Sequence, residues 1–163
     1  MGSTVSDRQI RRLSSSDIDR LVQFEAANQP DPWTPGVFSD EVVAENRIYL
    51  AILDGDSLYA YGGLMVVGDE AHVLNLLVAP DQRRKGLGRL LLVGLIKEAI
   101  AIGARHLTLE VRSRNVPAID LYRKCGLAPV GIRPGYYGDD DAVIMWAHDI
   151  DEPRFVEDLE ALQ

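Results

Sequence analysis

A single cysteine and three histidines in 163 residues leave no material for a disulfide framework or for the clustered ligands of a zinc site. No charge-free stretch reaches the ~18 apolar residues that a membrane span needs, and the N-terminus lacks the basic-then-apolar layout of a secretory leader. The chain reads as soluble and cytoplasmic. Cations are also scarce: 17 Lys and Arg stand against 25 Asp and Glu, for a formal net charge of -8. That balance argues against general nucleic-acid binding, which depends on a basic face, and would suit a cationic substrate. Internal repeats and linker compositions are missing too. The opening MGSTVS fits the short myristoylation pattern and is read as a chance match or a cloning remnant.

What is present is enough apolar content, 47%, for one buried core, hence one domain over residues 1–150 followed by an acidic tail, 151–163. Gln9 to Leu13 reads as a first strand. Ser16 and Asp19 stand in capping-box relation ahead of Ile18, Leu21, Val22 and Glu25 at helical spacing. In "NQPDPWTPGVF" the prolines mark a loop with Trp33 at its tip, and Thr34-Pro35 reads as cap and first position of a short helix. Three strand-like runs follow, "RIYLAIL", "SLYAYGGLMVV" and "AHVLNLLV", joined by turn signals at hairpin distances. "LGRLLLVGLIKEAIAI" is apolar nearly all round and closed by Gly103, which makes it a buried helix. "RHLTLEV" is a strand, Asn115 can cap a helix ended by Gly126, and "APVGIR" and "AVIMWAHDI" finish as strands. The tail from Asp151 reads as a solvated helix or a frayed end. Hairpins mixed with crossover helices predict an α/β fold with one mixed, mostly antiparallel sheet of about seven strands flanked by about four helices.

The scarce cations are not spread evenly. Four of the 17 lie between Arg83 and Arg89, in "RRKGLGR", just ahead of the long apolar helix. A strand, a glycine turn and a helix start place unpaired N–H groups around an anion. Gly86 and Gly88 let the backbone approach a diphosphate, and Arg83, Arg84, Lys85 and Arg89 supply countercharge. Spacing alone leaves a second reading, a capped helix with a solvated basic turn. The turn lacks the Gly-Lys-Ser/Thr ending of a nucleoside-triphosphate loop and the third small residue of the dinucleotide fingerprint.

Arg83 to Gly88 resembles the Arg/Gln-x-x-Gly-x-Gly/Ala signature of the GCN5-related N-acetyltransferases, whose strand-loop-helix element binds the pyrophosphate of acetyl-CoA. "LEVRSRNVPAIDLYRKCGL" and "GYYGDDDAVIM" are similar to the protein N-terminal acetyltransferases, in particular the RimI-type ribosomal-protein-alanine enzymes, and the resemblance runs from Trp33 to Met145. It implies a three-layer fold with acetyl-CoA as co-substrate, seated on the turn from Arg83 to Arg89, Leu87 included. It implies that Leu76, Leu77 and Val78 bond the pantetheine arm, with the Val78 N–H on the thioester carbonyl, and that Asn115 adds a cofactor contact. It implies Glu110 as general base through water and Tyr122 as general acid at sulfur, and a substrate clasped by Trp33, Tyr136 and Tyr137. The residues alone leave other readings open: Glu110 as a strand-end charge, Tyr122 as a core tyrosine, Asn115 as a plain helix cap and the tyrosine pair as hairpin packing. Departures from the pattern are Arg83 for glutamine, Pro117 for alanine and Leu127 for phenylalanine.

Acetyl transfer needs a neutral amine. An α-amine (pKa ~7.8) is about a quarter neutral near pH 7.4 and a lysine (~10.4) about 0.1%, a gap of ~3.5 kcal/mol that one modest base does not close. The expected reaction is therefore direct attack by a protein's α-amine on acetyl-CoA in a ternary complex, with an N-terminal alanine of a ribosomal protein as the inherited substrate. Lysine or polyamine acetylation, and acyl-CoA sensing without turnover, are the rival readings. Cys125, with no histidine near in sequence, reads as packing and not as a covalent relay. No metal is expected.

Overall fold

The computed structural model describes residues 8–163; the MGSTVS pattern lies outside the described residues. The chain runs β1 (Arg8–Arg12), α1 (Ile18–Asn28), α2 (Pro35–Val43), β2 (Arg47–Asp54), β3 (Ser57–Val67) and β4 (Glu70–Val78), then α3 (Leu87–Ala101), β5 (His106–Arg112), α4 (Val116–Lys124), β6 (Ala128–Arg133), β7 (Ala142–His148) and α5 (Pro153–Glu160). Seven strands form one sheet in the order β1-β2-β3-β4-β5-β7-β6. Every neighbouring pair is antiparallel except β4 with β5.

Alternation along β2 shows why three layers form. Leu50 and Ile52 join a core with the apolar face of α3, from Leu87 to Ala99. Tyr49, Ala51 and Leu53 point the other way, onto Leu21 and Phe24 of α1 and Phe38 of α2. A strand covered on both faces reads as a continuous apolar run rather than an alternating one, as "YLAIL" does. Thr34 caps α2 as expected, its Oγ1 accepting the Val37 N–H at 3.3 Å.

Two local expectations need correction. The capping pair before α1 is Ser14 with Asp17, not Ser16 with Asp19: the Ser14 N–H donates to Asp17 Oδ2 at 2.9 Å. Arg11 selects Asp17, gripping both carboxylate oxygens at 2.9 and 2.8 Å and holding the acid down at about 2. The acidic tail, expected as solvated or frayed, is a fifth helix with a packed face. Leu159 is buried and Phe155 and Leu162 lie against the main core, an i, i+4, i+7 stripe hidden among acids. Among the described residues no helix is long and apolar enough to cross a membrane.

Candidate active site

The site begins where the sheet comes apart. The parallel β4–β5 ladder holds only Glu70↔His106, Ala71↔Leu107 and His72↔Thr108. Beyond it β4 runs on to Val78 and β5 to Arg112 without pairing to each other. A bulge helps to open them: Gly63 pairs with Asn75 and Leu64 with Val73, so Leu74 is an extra residue in β4. Bulges bend the strand that carries them, and the split leaves two facing strand edges with backbone groups in want of partners. Leu76 and Val78 are half-buried along this edge, whereas the Leu77 side chain is buried in the core under α1 and α2.

At the end of β4 the chain turns sharply into α3. Arg84 (φ 63) and Gly86 (φ 77) both take left-handed backbone, which is strained for an arginine and free for a glycine. The Leu90 N–H is the first to find a helical acceptor, Gly86 O at 3.0 Å, so the amides of the preceding turn project from the helix start. Leu87 is buried and anchors that start. A Cβ on Gly88 would stand 3.4 Å from Leu121 Cδ2, which marks close approach of α3 to α4. Arg83, Arg84, Lys85 and Arg89 are exposed, and none of the four is ion-paired among the described residues. Free cations, left-handed turns and bare amides at one spot fit a diphosphate. Asn115 caps α4, accepting the Ala118 N–H at 3.3 Å.

Glu110 lies on β5 at the mouth of the split, its Oε2 2.6 Å from His72 Nε2 on β4. Tyr122, on α4, is buried, and burial first, then Tyr137 and Cys125, push its hydroxyl up to about 12. Tyr137 is itself raised by burial, by Tyr136 and by the Glu110 carboxylate. Tyr137 thus stands within electrostatic reach of both Glu110 and Tyr122. Cys125 is buried, and burial pushes its thiol up to about 11, which suits packing and not nucleophilic attack.

The aromatic residues expected at the acceptor side lie on two separate loops. Tyr136 and Tyr137 meet edge-on with ring centroids 5.0 Å apart, and the Arg112 guanidinium lies 4.4 Å over the Tyr137 ring. Asp140 pins their loop. Its carboxylate accepts the Ser113 hydroxyl, the Arg114 N–H at 3.1 Å and the Asp141 N–H at 2.7 Å, and Ser113 foremost lowers its pKa. Trp33 packs on Phe38 at 5.4 Å and donates its backbone N–H to buried Glu25 at 3.1 Å. Glu25 also accepts the Tyr61 hydroxyl, which accepts from Asn75 Nδ2 at 3.2 Å. The Trp33 loop is thereby tied to the open edge of β4.

His72, Asn75, Glu25, Tyr61 and Asp140 were not singled out by sequence reasoning. The signals were there: His72 and Asn75 break an otherwise apolar run in "AHVLNLLV", and Glu25 sits on the apolar stripe of α1. Among the described residues no cluster suits a metal ion.

The model of the acetyltransferase (GNAT) family matches residues 15–127. The chain is 38% identical over 137 residues to the ribosomal protein bS18-alanine N-acetyltransferase of Salmonella typhimurium, across 82% of this chain and 92% of that one. With its namesake from Escherichia coli it shares 35% over 140 residues, across 83% and 94%. The crystal structure of the Escherichia coli ribosomal-protein-S18-alanine N-acetyltransferase superposes with a TM-score of 0.79 at 34% identity, over 87% of this chain and 94% of that one. Arabidopsis thaliana NAA60 in complex with acetyl-CoA shares the fold, with a TM-score of 0.79 at 20% identity over 86% and 98%. With the split sheet, the cationic helix start and these likenesses together, the chain belongs to the acetyltransferase (GNAT) family and is an acetyl-CoA-dependent N-acetyltransferase.

Proposed function

We propose that the protein acetylates the α-amine of a polypeptide, with a ribosomal protein beginning in alanine, the substrate named for its relatives, as the preferred acceptor in the cytoplasm. The observation that carries this reading is the Glu110–His72 pair, 2.6 Å apart, at the mouth of the split sheet. Acetyl-CoA supplies an activated acyl thioester. The residues that would hold it are the turn from Arg83 to Arg89 for the diphosphate, the free edge of Leu76, Leu77 and Val78 for the pantetheine arm, and Asn115 beside them.

The remaining chemistry belongs to the chain. Trp33, Tyr136 and Tyr137 enclose the acceptor's first residues and exclude water. Glu110, oriented by His72, takes the proton of the attacking amine, directly or through one water. Tyr122, held protonated by burial at a pKa of about 12, gives its proton to the departing thiolate. Attack is direct, because the one thiol, Cys125, is buried and protonated. Lysine or polyamine acetylation would use the same cofactor seat with a wider acceptor cleft.

The test is Glu110→Gln with an alanine-first peptide. Loss of a general base lowers kcat about 100-fold or more near pH 7, with acetyl-CoA affinity kept. The deficit should narrow as pH rises through the α-amine's ~7.8, since the amine then arrives neutral. A deficit that ignores pH would assign Glu110 a structural role, and full activity would remove it from the reaction.

A further inference from the structure

The sheet face that carries Glu110 is covered by α1 and α2 over its first strands only. Their core takes residues from β2, β3 and the end of β4 and none from β5, β6 or β7. The opposite face of β5 and β7, with Leu107, Leu109, Val111, Met145 and Ala147, is buried in the main core. Between them Thr108, Glu110, Ile144 and Trp146 belong to neither core, and they line a cavity of about 380 Å³ together with His72 and Met65.

Strand register orders this face into rows. Glu110 stands opposite Ile144. One row further on, Met65 pairs with His72, His72 with Thr108 and Thr108 with Trp146. The last row joins Val67 to Glu70, Glu70 to His106 and His106 to His148. At ~3.3 Å per residue the rows lie about 7 Å apart along β5, so the last is about 13 Å from Glu110, the reach of about four extended residues. The surface is wide and mixed: Met65, Val67, Ile144 and Trp146 give it apolar ground, and Glu70, His72, Thr108 and Arg133 rim it. Val67 is 61% exposed, and the Trp146 ring lies flat on His148, 5.4 Å between centroids and 12° between planes. Uncovered large apolar side chains with a polar rim mark a contact surface.

We propose that this groove is a downstream subsite for the acceptor polypeptide, which runs in extended form from Glu110 across the Trp146 row and seats an apolar or aromatic side chain there, two to four residues behind the acetylated amine. The inference rests on the α-amine reading above. The occupant follows from continuity: Glu110 and His72 line the groove and also form its reactive end. A chain whose amine sits at Glu110 finds this face as the adjoining uncovered surface. A free amino acid or polyamine would leave it empty. Specificity would then extend past the first residues, set by side-chain burial on the sheet.

The test is calorimetric titration of the coenzyme A-loaded protein with two alanine-first peptides. One is a tripeptide amide; the other is an eight-residue peptide with the same first three residues and phenylalanine fourth. Burying that ring should make the longer peptide bind about tenfold tighter. Trp146→Ala and Val67→Asp should bring its Kd close to that of the tripeptide while leaving the tripeptide's own Kd unchanged, which also shows that the variants fold. Equal Kd values in the unsubstituted protein, or equal weakening of both peptides by Trp146→Ala, would overturn the groove. Binding is read apart from turnover, so a missing α-acetyl product with the length effect intact strikes the proposed function and not the groove.

Discussion

The roles proposed for Glu110 and Tyr122 rest on different surroundings. Glu110 is partly exposed and lies against a partner, His72. Tyr122 is enclosed, and its pKa of about 12 keeps the phenol protonated throughout the physiological range, the form that a proton donor must hold. Tyr122→Phe keeps the ring in place and removes that proton, so we expect kcat to fall about 100-fold or more, with acetyl-CoA binding measured by calorimetry within about twofold of the parent. Unchanged turnover would return Tyr122 to a packing role. Both residues could be picked out in the sequence because the stretches around them resemble a known family; spacing alone does not separate a catalytic carboxylate from a strand-end charge. His72 escaped because its partner lies 38 positions away, on a strand that meets β5 only after folding.

At the level of elements, the strands and helices were legible because turn signals, glycine stops and apolar periodicity agree along most of the chain. Gly126 illustrates the agreement. Its φ of +98 ends α4, and a Cβ there would come within 2.7 Å of Phe155 Cε2. The same contact shows what stayed hidden: α5 carries acids on its outer face, so composition masks the stripe that docks it. The start of α1 was misread because Asp17 is chosen by Arg11 from the preceding strand, a tertiary choice between two equally good local caps. That choice has a pH signature. The Asp17 carboxyl is depressed to about 2 in the fold against ~3.9 in an open chain. A depressed acid adds stability above the open-chain value, and that stability is lost as pH falls through the folded one. Asp17→Asn should therefore cost about 1–2 kcal/mol near pH 7, the half-exposed Arg11 keeping the figure low. Denaturant titrations should show the gap between the two proteins closing from pH 4 to pH 2; a constant gap would place the effect in packing.

Over the whole molecule, charge and topology serve one event. A chain of net charge -8 keeps four unpaired cations at the start of α3, where the glycine turn bares its amides, and leaves its remaining surface acidic. The sheet is continuous at one end and split at the other, and in the proposed function a cofactor beside α3 and α4 and a polypeptide from the open face meet at the split. The mixed, mostly antiparallel sheet and the run of elements along the chain could be anticipated from sequence; the split could not, because the unpaired ends of β4 and β5 have the composition of ordinary paired strands. The central claim is that this meeting point selects an α-amine over a lysine. The most direct measurement is mass-spectrometric localisation of the acetyl group on one peptide that offers a free N-terminal alanine and an internal lysine to limiting enzyme with acetyl-CoA. Acetyl is expected on the alanine α-amine alone, with the lysine untouched until the α-amine is consumed; early acetyl on the lysine side chain would contradict α-amine selection.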